Sequence, residues 1–274
     1  MTILLIGLDG ADPLFAPVYF KGFTHTTIKS PVPSTGPAWS SIYTGMTPDE
    51  HEVTGVWGEG LTGGKKLSRT GIPYFWEKMD CSCGLYNLPL IHPPREVNGF
   101  VIGGFPILTD ESYCKPTNLG FDRDEWLENA DMVQYGGVTV VKSWRTLFKD
   151  YTLLKKVICD QMEYQLKGLE RLLKTNKVDF LFCQNSMIDR VLHVTASDPA
   201  IRDYAYRLGA EYIQRVMDLY PADKTFLISD HGFNKSNHHI HRNISLFSYT
   251  EAPKIMPNEI KDIYNVMIEE MKSE

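Results

Sequence analysis

Three short apolar runs punctuate the chain, over residues 3–8, 178–183 and 224–229, and each gives way to a polar cluster containing an aspartate. An unbroken run of that length, without polar alternation, is the pattern of a strand covered on both faces, as in a parallel sheet. Elsewhere the period is helical. Residues 152–173 place Leu153, Leu154, Val157, Ile158, Met162, Leu166 and Leu169 on one stripe, and residues 201–219 do the same with Ile201, Tyr204, Ala205, Leu208, Tyr212, Ile213 and Val216. Such stripes predict helices packed against a sheet. A last helix is predicted from Asn258, its N-cap, with Ile260, Ile263, Tyr264, Met267, Ile268 and Met271 on one face. Strands alternating with helices predict an α/β fold: a mostly parallel central sheet with helices on both faces.

Between residues 58 and 150 the pattern loosens into Gly, Pro and aromatic residues without a long periodic helix. This stretch is predicted to leave the sheet as an irregular cap or insertion that shapes a site. No internal repeat and no Gly/Ser or Pro linker divides the chain, so one domain over residues 1–274 is expected, with 58–150 as its insertion. A composition of 43% hydrophobic and 23% charged residues excludes a disordered chain. No apolar run reaches the roughly 20 residues of a membrane helix. A net charge of -6 argues against a protein that coats nucleic acid. Five scattered cysteines give no disulfide framework, and the opening apolar run is too short for a leader, so a cytoplasmic protein with no membrane partner is expected.

The chemistry gathers where the runs stop. Asp9 follows the first, Asp189 follows the second after a polar turn, and Asp230-His231 follows the third. Ligands of open parallel sheets bind beyond the carboxyl ends of the strands. Three carboxylates converging there repel one another unless cations neutralise them. His193 stands four residues after Asp189, on the same face of a helical turn, and His238, His239 and His241 follow His231. Mixed Asp and His ligation suits zinc, and also manganese or iron. A second element is the segment Pro33-Ser34-Thr35-Gly36-Pro37-Ala38-Trp39. Pro37 fits the first turn of a helix, which leaves Thr35 at the helix mouth, where free amides and the helix dipole favour an anion. A hydroxyl so placed beside a metal can attack phosphorus.

Taken in order, Asp9, the Thr35 segment, Thr44-Gly45 with Pro48 and His51, Asp189 with His193, and Ser229 to Phe233 resemble the motifs of the alkaline phosphatase superfamily, most of all its type I phosphodiesterase/nucleotide pyrophosphatase branch. The segments from Asn87 to Pro94 and from Asn98 to Phe105 resemble a stretch of the prokaryotic members. The resemblance implies an alkaline-phosphatase-like core and two divalent metals, usually zinc. One would be held by Asp9, Thr35, Asp230 and His231. The other would be held by Asp189, His193 and a further histidine: His241 first, His239 second, with His238 also available. It further implies a small phosphoester substrate, with a nucleotide as one candidate, and a phospho-threonine on Thr35 that water hydrolyses, so that configuration at phosphorus is retained.

Two features depart from that branch. Its phosphate-binding Asn is absent, because the corresponding place reads Gly55-Val56-Trp57, and the chain is short. The Thr35 segment lacks the Cys/Ser-x-Pro-x-Arg pattern of sulfatases. A phosphomonoesterase of the same superfamily, and a non-catalytic relative that binds metal or nucleotide, are the alternatives. Trp57, Tyr74, Phe75, Phe100 and Phe105 either stack a base or fill the core.

Overall fold

All six residues of strand β1 (Ile3–Leu8) are buried. The strand lies in the middle of an eight-stranded sheet and is covered on both faces, as its unbroken apolar run requires. The computed structural model describes residues 1–55, 67–104, 107–108, 114–116, 119, 132–135, 138–141, 151–195, 197–234 and 240–272. After β1 come helix α1 (Ala16–Tyr19), β2 (Thr24–Lys29), α2 (Thr35–Thr44), α3 (Pro48–His51), β3 (Cys83–Leu88) and β4 (Gly99–Gly103). Four short strands follow: β5 (Ile107–Leu108), β6 (Cys114–Lys115), β7 (Met132–Tyr135) and β8 (Val138–Val141). The second half carries α4 (Tyr151–Thr175), β9 (Phe180–Asn185), α5 (Met187–Thr195), α6 (Pro199–Leu219) and β10 (Lys224–Ile228). It closes with β11 (Gly232–Phe233), β12 (His241–Arg242), β13 (Ile244–Tyr249) and α7 (Ile263–Met271).

The main sheet has the order β2-β13-β10-β1-β9-β3-β4-β6. Its five central strands, from β10 to β4, run parallel. On one side follow β13, antiparallel to β10, and the edge strand β2, antiparallel to β13 and so aligned with the centre; antiparallel β6 forms the other edge. Alternate side chains of β1 serve two cores. Leu4, Ile6 and Leu8 pack with residues of α4, α5 and α6, while Ile3 and Leu5 pack with residues of α2 and α7. The predicted α/β architecture, mostly parallel with helices on both faces, is the one found. Among the described residues no helix is long and apolar enough to cross a membrane. All five cysteines are free.

Two local expectations differ from the structure. Strands β3, β4 and β6 come from within residues 58–150, so part of that interval builds the main sheet rather than leaving it. The burial of β3 is complete, but Gly84 and Asn87 interrupt its apolar sequence and hide it from a periodicity argument. The last helix begins later than Asn258. A single 3-10 turn at Ile260–Asp262 precedes α7, and Asn258 instead donates its N–H to the Asp262 carboxylate at 2.8 Å.

Candidate metal centre

The ends of β1, β9 and β10 are tied together by their own backbone. Asp9 N–H donates to the Asn185 carbonyl at 3.0 Å, and the Asp9 carbonyl accepts from Asp189 N–H at 3.2 Å. Asp189, the third residue of α5, is thereby set across from Asp9. Gly10 makes the turn with φ 71°, and a Cβ there would stand 3.1 Å from the Asp189 Cα. Its N–H donates to Asp230 Oδ1 at 3.1 Å, which brings in the end of β10.

The segment before and within α2 closes over these carboxylates. Ser30 Oγ donates to the Asp230 carbonyl at 2.6 Å, and Trp39 Nε1–H donates to Asp9 Oδ2 at 3.3 Å. His241 Nδ1 lies 3.0 Å from the Pro33 carbonyl, to which it must donate, since that oxygen only accepts. These three contacts bracket Thr35, the first residue of α2. Ser34, at the N-cap, makes no side-chain capping bond, so its side chain leaves the first amides of the helix unclaimed.

At the centre His231 Nε2 lies 3.2 Å from Asp230 Oδ2, 3.6 Å from Asp9 Oδ1 and 4.0 Å from Asp189 Oδ1. Asp189 Oδ1 is also 3.7 Å from His241 Nε2 and 3.5 Å from His193 Nε2, and the last two nitrogens are 3.3 Å apart. The His231 and His241 rings stack with centroids 3.7 Å apart. The Nδ1 of each faces a carbonyl oxygen, Gly232 and Pro33 respectively, which fixes the proton on Nδ1 and leaves the Nε2 lone pair turned to the cluster.

Four buried atoms of this cluster have no hydrogen-bond partner: Asp9 Oδ1, Asp189 Oδ1, Asp230 Oδ2 and His231 Nε2. Orphaned acceptors that converge in this way would cost several kcal/mol in a dry interior, and a cation removes that cost. The ionisation behaviour has the same origin. Burial, together with the charges of Asp230 and Asp189, holds the Asp9 carboxyl well above the usual range. Burial and Asp230 do the same to Asp189, and burial lifts Asp230 to about 6. Burial lowers His231 to about 3, and burial with the neighbouring His231 lowers His241 to about 4. Neutral imidazoles beside reluctant carboxylates are suited to ligation. Asp9, Asp230 and His231 form one group able to hold an ion, and Asp189, His231 and His241 form a second.

Six described residues of the expected ligand set therefore meet at one point, Asp9, Asp189, His193, Asp230, His231 and His241, while Thr35 stands at the start of α2, whose flanking Pro33 and Trp39 contact His241 and Asp9. His238 and His239 lie outside the described residues, as do Val56, Trp57 and Phe105. Tyr74, Phe75 and Phe100 fill the core and have no surface on which to stack a base. Gly55, where the branch's Asn was missed, backs onto the start of α2: a Cβ on Gly36 would stand 2.4 Å from the Gly55 carbonyl carbon. Sequence reasoning gave no role to Trp39, Ser30 or Gly10. Of these, Trp39 alone carries a local signal, one helical turn after Thr35 and so on the same side of α2.

The family model for type I phosphodiesterase/nucleotide pyrophosphatase matches residues 12–267. Among curated proteins none matches the sequence significantly. Two solved structures share the fold at low identity. A Bacteroides thetaiotaomicron protein classed as a sulfatase superposes with a TM-score of 0.54 at 9% identity, over 97% of this chain and 71% of its own. A second protein, from work on glycosaminoglycan metabolism by that organism, gives 0.53 at 12% identity with the same two coverages. Alkaline phosphatase from the Antarctic bacterium TAB5 gives 0.48 at 14% identity over 99% of both chains.

Proposed function

Because the chain belongs to the type I phosphodiesterase/nucleotide pyrophosphatase family, we propose that it hydrolyses a phosphodiester or phosphoanhydride, using Thr35 as nucleophile and two divalent cations. Family membership supports phosphoester hydrolysis as its chemistry. The finer reading is supported by one observation: four buried ligand atoms lack hydrogen-bond partners in a cluster that Pro33 and Trp39, on either side of Thr35, contact through His241 and Asp9. Asp9, Asp230 and His231, with Thr35 beside them, would hold one cation. Asp189, His193 and His241 would hold the other, with His239 as the second choice for the last place. Carboxylate oxygens with imidazole nitrogens favour zinc, with manganese or iron next. Bound there, the cations would neutralise the carboxylates and polarise a phosphoryl oxygen.

The chain's own residues do the rest. Thr35 Oγ1 loses its proton to solvent and attacks phosphorus, the bond to the leaving oxygen breaks with that oxygen keeping the electron pair, and the phosphoryl group remains as an ester on Thr35. Water then attacks phosphorus, gives up a proton and displaces Oγ1, which takes a proton back, so two displacements restore the starting configuration. Amides of the first turn of α2 face the developing negative charge, and Pro37 removes an N–H that would otherwise lack a partner. Trp39 holds Asp9 by Oδ2 and leaves Oδ1 for ligation.

The substrate is a small phosphoester, with a nucleotide as one candidate. A hydrolysis panel of aryl diesters, aryl monoesters, dinucleotides and nucleoside triphosphates, with Zn2+ or Mn2+ added, tests it. Diesters or phosphoanhydrides should turn over fastest. Monoesters leading the panel would select a phosphomonoesterase, and cation binding without any turnover would select a binding protein. Thr35→Ala should lower kcat by at least about 10³-fold with cation content unchanged. Retained turnover would assign the attack to water.

A further inference from the structure

Arg242 is not one of the ligand residues, yet it ties them together. Its Nη1 donates to both oxygens of the Asp12 carboxylate, at 3.1 and 2.8 Å, and the Asp12 side chain is wholly buried. Asp12 stands three residues after Asp9 and is fixed from two further directions. Its N–H donates to the Tyr206 hydroxyl at 2.8 Å, and its Oδ1 accepts from Leu14 N–H at 2.9 Å. Arg242 directly follows His241 in β12 and pairs across to Gly232, which directly follows His231. Both histidines are thus carried at the edges of a ladder with two residues in each strand, too small to hold its own geometry. Asp12 lies against this ladder so closely that a Cβ on Gly232 would stand 2.6 Å from its Oδ2.

We propose that the Asp12–Arg242 ion pair is a positioning clamp. It locks the ladder bearing His231 and His241 against the turn bearing Asp9, and so sets the distance between the two cation positions. The inference rests on the cluster being a metal centre. In this role Arg242 acts through the two histidines. Both bonds come from one nitrogen, Nη1, whose N–H directions the planar guanidinium fixes, whereas an ammonium turns freely. A pair serving stability alone would lower the melting temperature and leave cation binding untouched. Removing one ligand-orienting contact instead costs about 10- to 100-fold in metal affinity.

The test is Zn2+ titration of the metal-stripped protein, read calorimetrically beside melting temperature and steady-state kinetics. The variants are Arg242→Gln and Arg242→Lys. The control is Arg215→Gln, which breaks the pair between Arg215 of α6 and Glu163 of α4. Arg242→Gln should weaken Zn2+ binding by about 10-fold or more and lower kcat with KM unchanged. Arg242→Lys should recover part of both, and Arg215→Gln should change melting temperature only. Wild-type Zn2+ affinity in Arg242→Gln, whatever its melting temperature, overturns the clamp. Should that variant fail to fold, wild-type affinity in Arg242→Lys overturns it equally. A wild-type protein that takes up no Zn2+ overturns the metal-centre reading itself, which is a separate result.

Discussion

His231 has no exposed side-chain surface, and its Nε2 faces three carboxylates within 4.0 Å. A neutral imidazole held in that way already offers its Nε2 lone pair to a cation. In the metal-free protein the proton linkages oppose one another. The unfolded chain protonates His231 and His241 as pH falls through 6.5, while the folded chain resists until about 3 and about 4, so these residues favour unfolding over that interval. Asp230 takes up its proton near 6 when folded and near 3.8 when unfolded, which favours folding over nearly the same interval. A cation needs all three unprotonated. The rise in melting temperature on adding Zn2+ should therefore be full at about pH 8, shrink as pH falls through about 6 and be small by about pH 5. An increment independent of pH would contradict the ligand set. Trp39→Phe, which removes the bond to Asp9, should weaken Zn2+ binding by about 10-fold, and because Trp39 is wholly buried it should also cost about 1–3 kcal/mol of stability. Asp9 and Asp230 were legible in the sequence because each closes an apolar run, Asp189 because it follows one after a polar turn, and His193 because of its spacing from Asp189. The partnership of Arg242 with Asp12 was not, because it spans 230 residues and leaves no local period.

At the level of elements, α2 does two things: its first turn presents Thr35, and Trp39 one turn later reaches Asp9. Its seat depends on Gly36, where a Cβ would collide with the Gly55 backbone at 2.4–2.8 Å. Gly36→Ala should destabilise by about 1–3 kcal/mol, because backbone must move to admit the methyl group. It should also lower kcat, since the same movement carries Thr35 with it. Thermal denaturation and steady-state rates check both, and an active, fully stable Gly36→Ala would show that α2 is free to shift. Of the elements, β1, β9 and β10 were readable because burial on both faces leaves an unbroken apolar signature. The helical stripes of α4 and α6 were readable for the corresponding reason, and their predicted spans fall within two residues of those found. β2 escaped notice, since an edge strand with sequence THTTIK buries one residue in six. Ser30, Pro33 and Trp39 belong to the site only through contacts with residues that lie far off in sequence.

For the whole molecule, a net charge of -6 includes three acids at one buried point, so the proposed binding of a phosphate there calls for cations that offset them. Exhaustive chelation should abolish turnover and lower the melting temperature by about 10 °C, a shift equivalent to about 4 kcal/mol of cation binding at saturation. Both should return with Zn2+, and undiminished activity after chelation would remove metals from the chemistry. The order of the strands carries a further consequence. Ile3 of β1 pairs with Phe180 on one side and Lys224 on the other. On a ribosome adding roughly 5–20 residues each second, the first strand emerges long before either neighbour exists. Asp9 then has no Asp189 or Asp230 to meet, and an unfinished chain holds no more than a weak, solitary carboxylate. On the proposed ligand set, cation uptake would be a late event in the life of each molecule. A cation bound at this centre would mark a chain already made at least as far as His241.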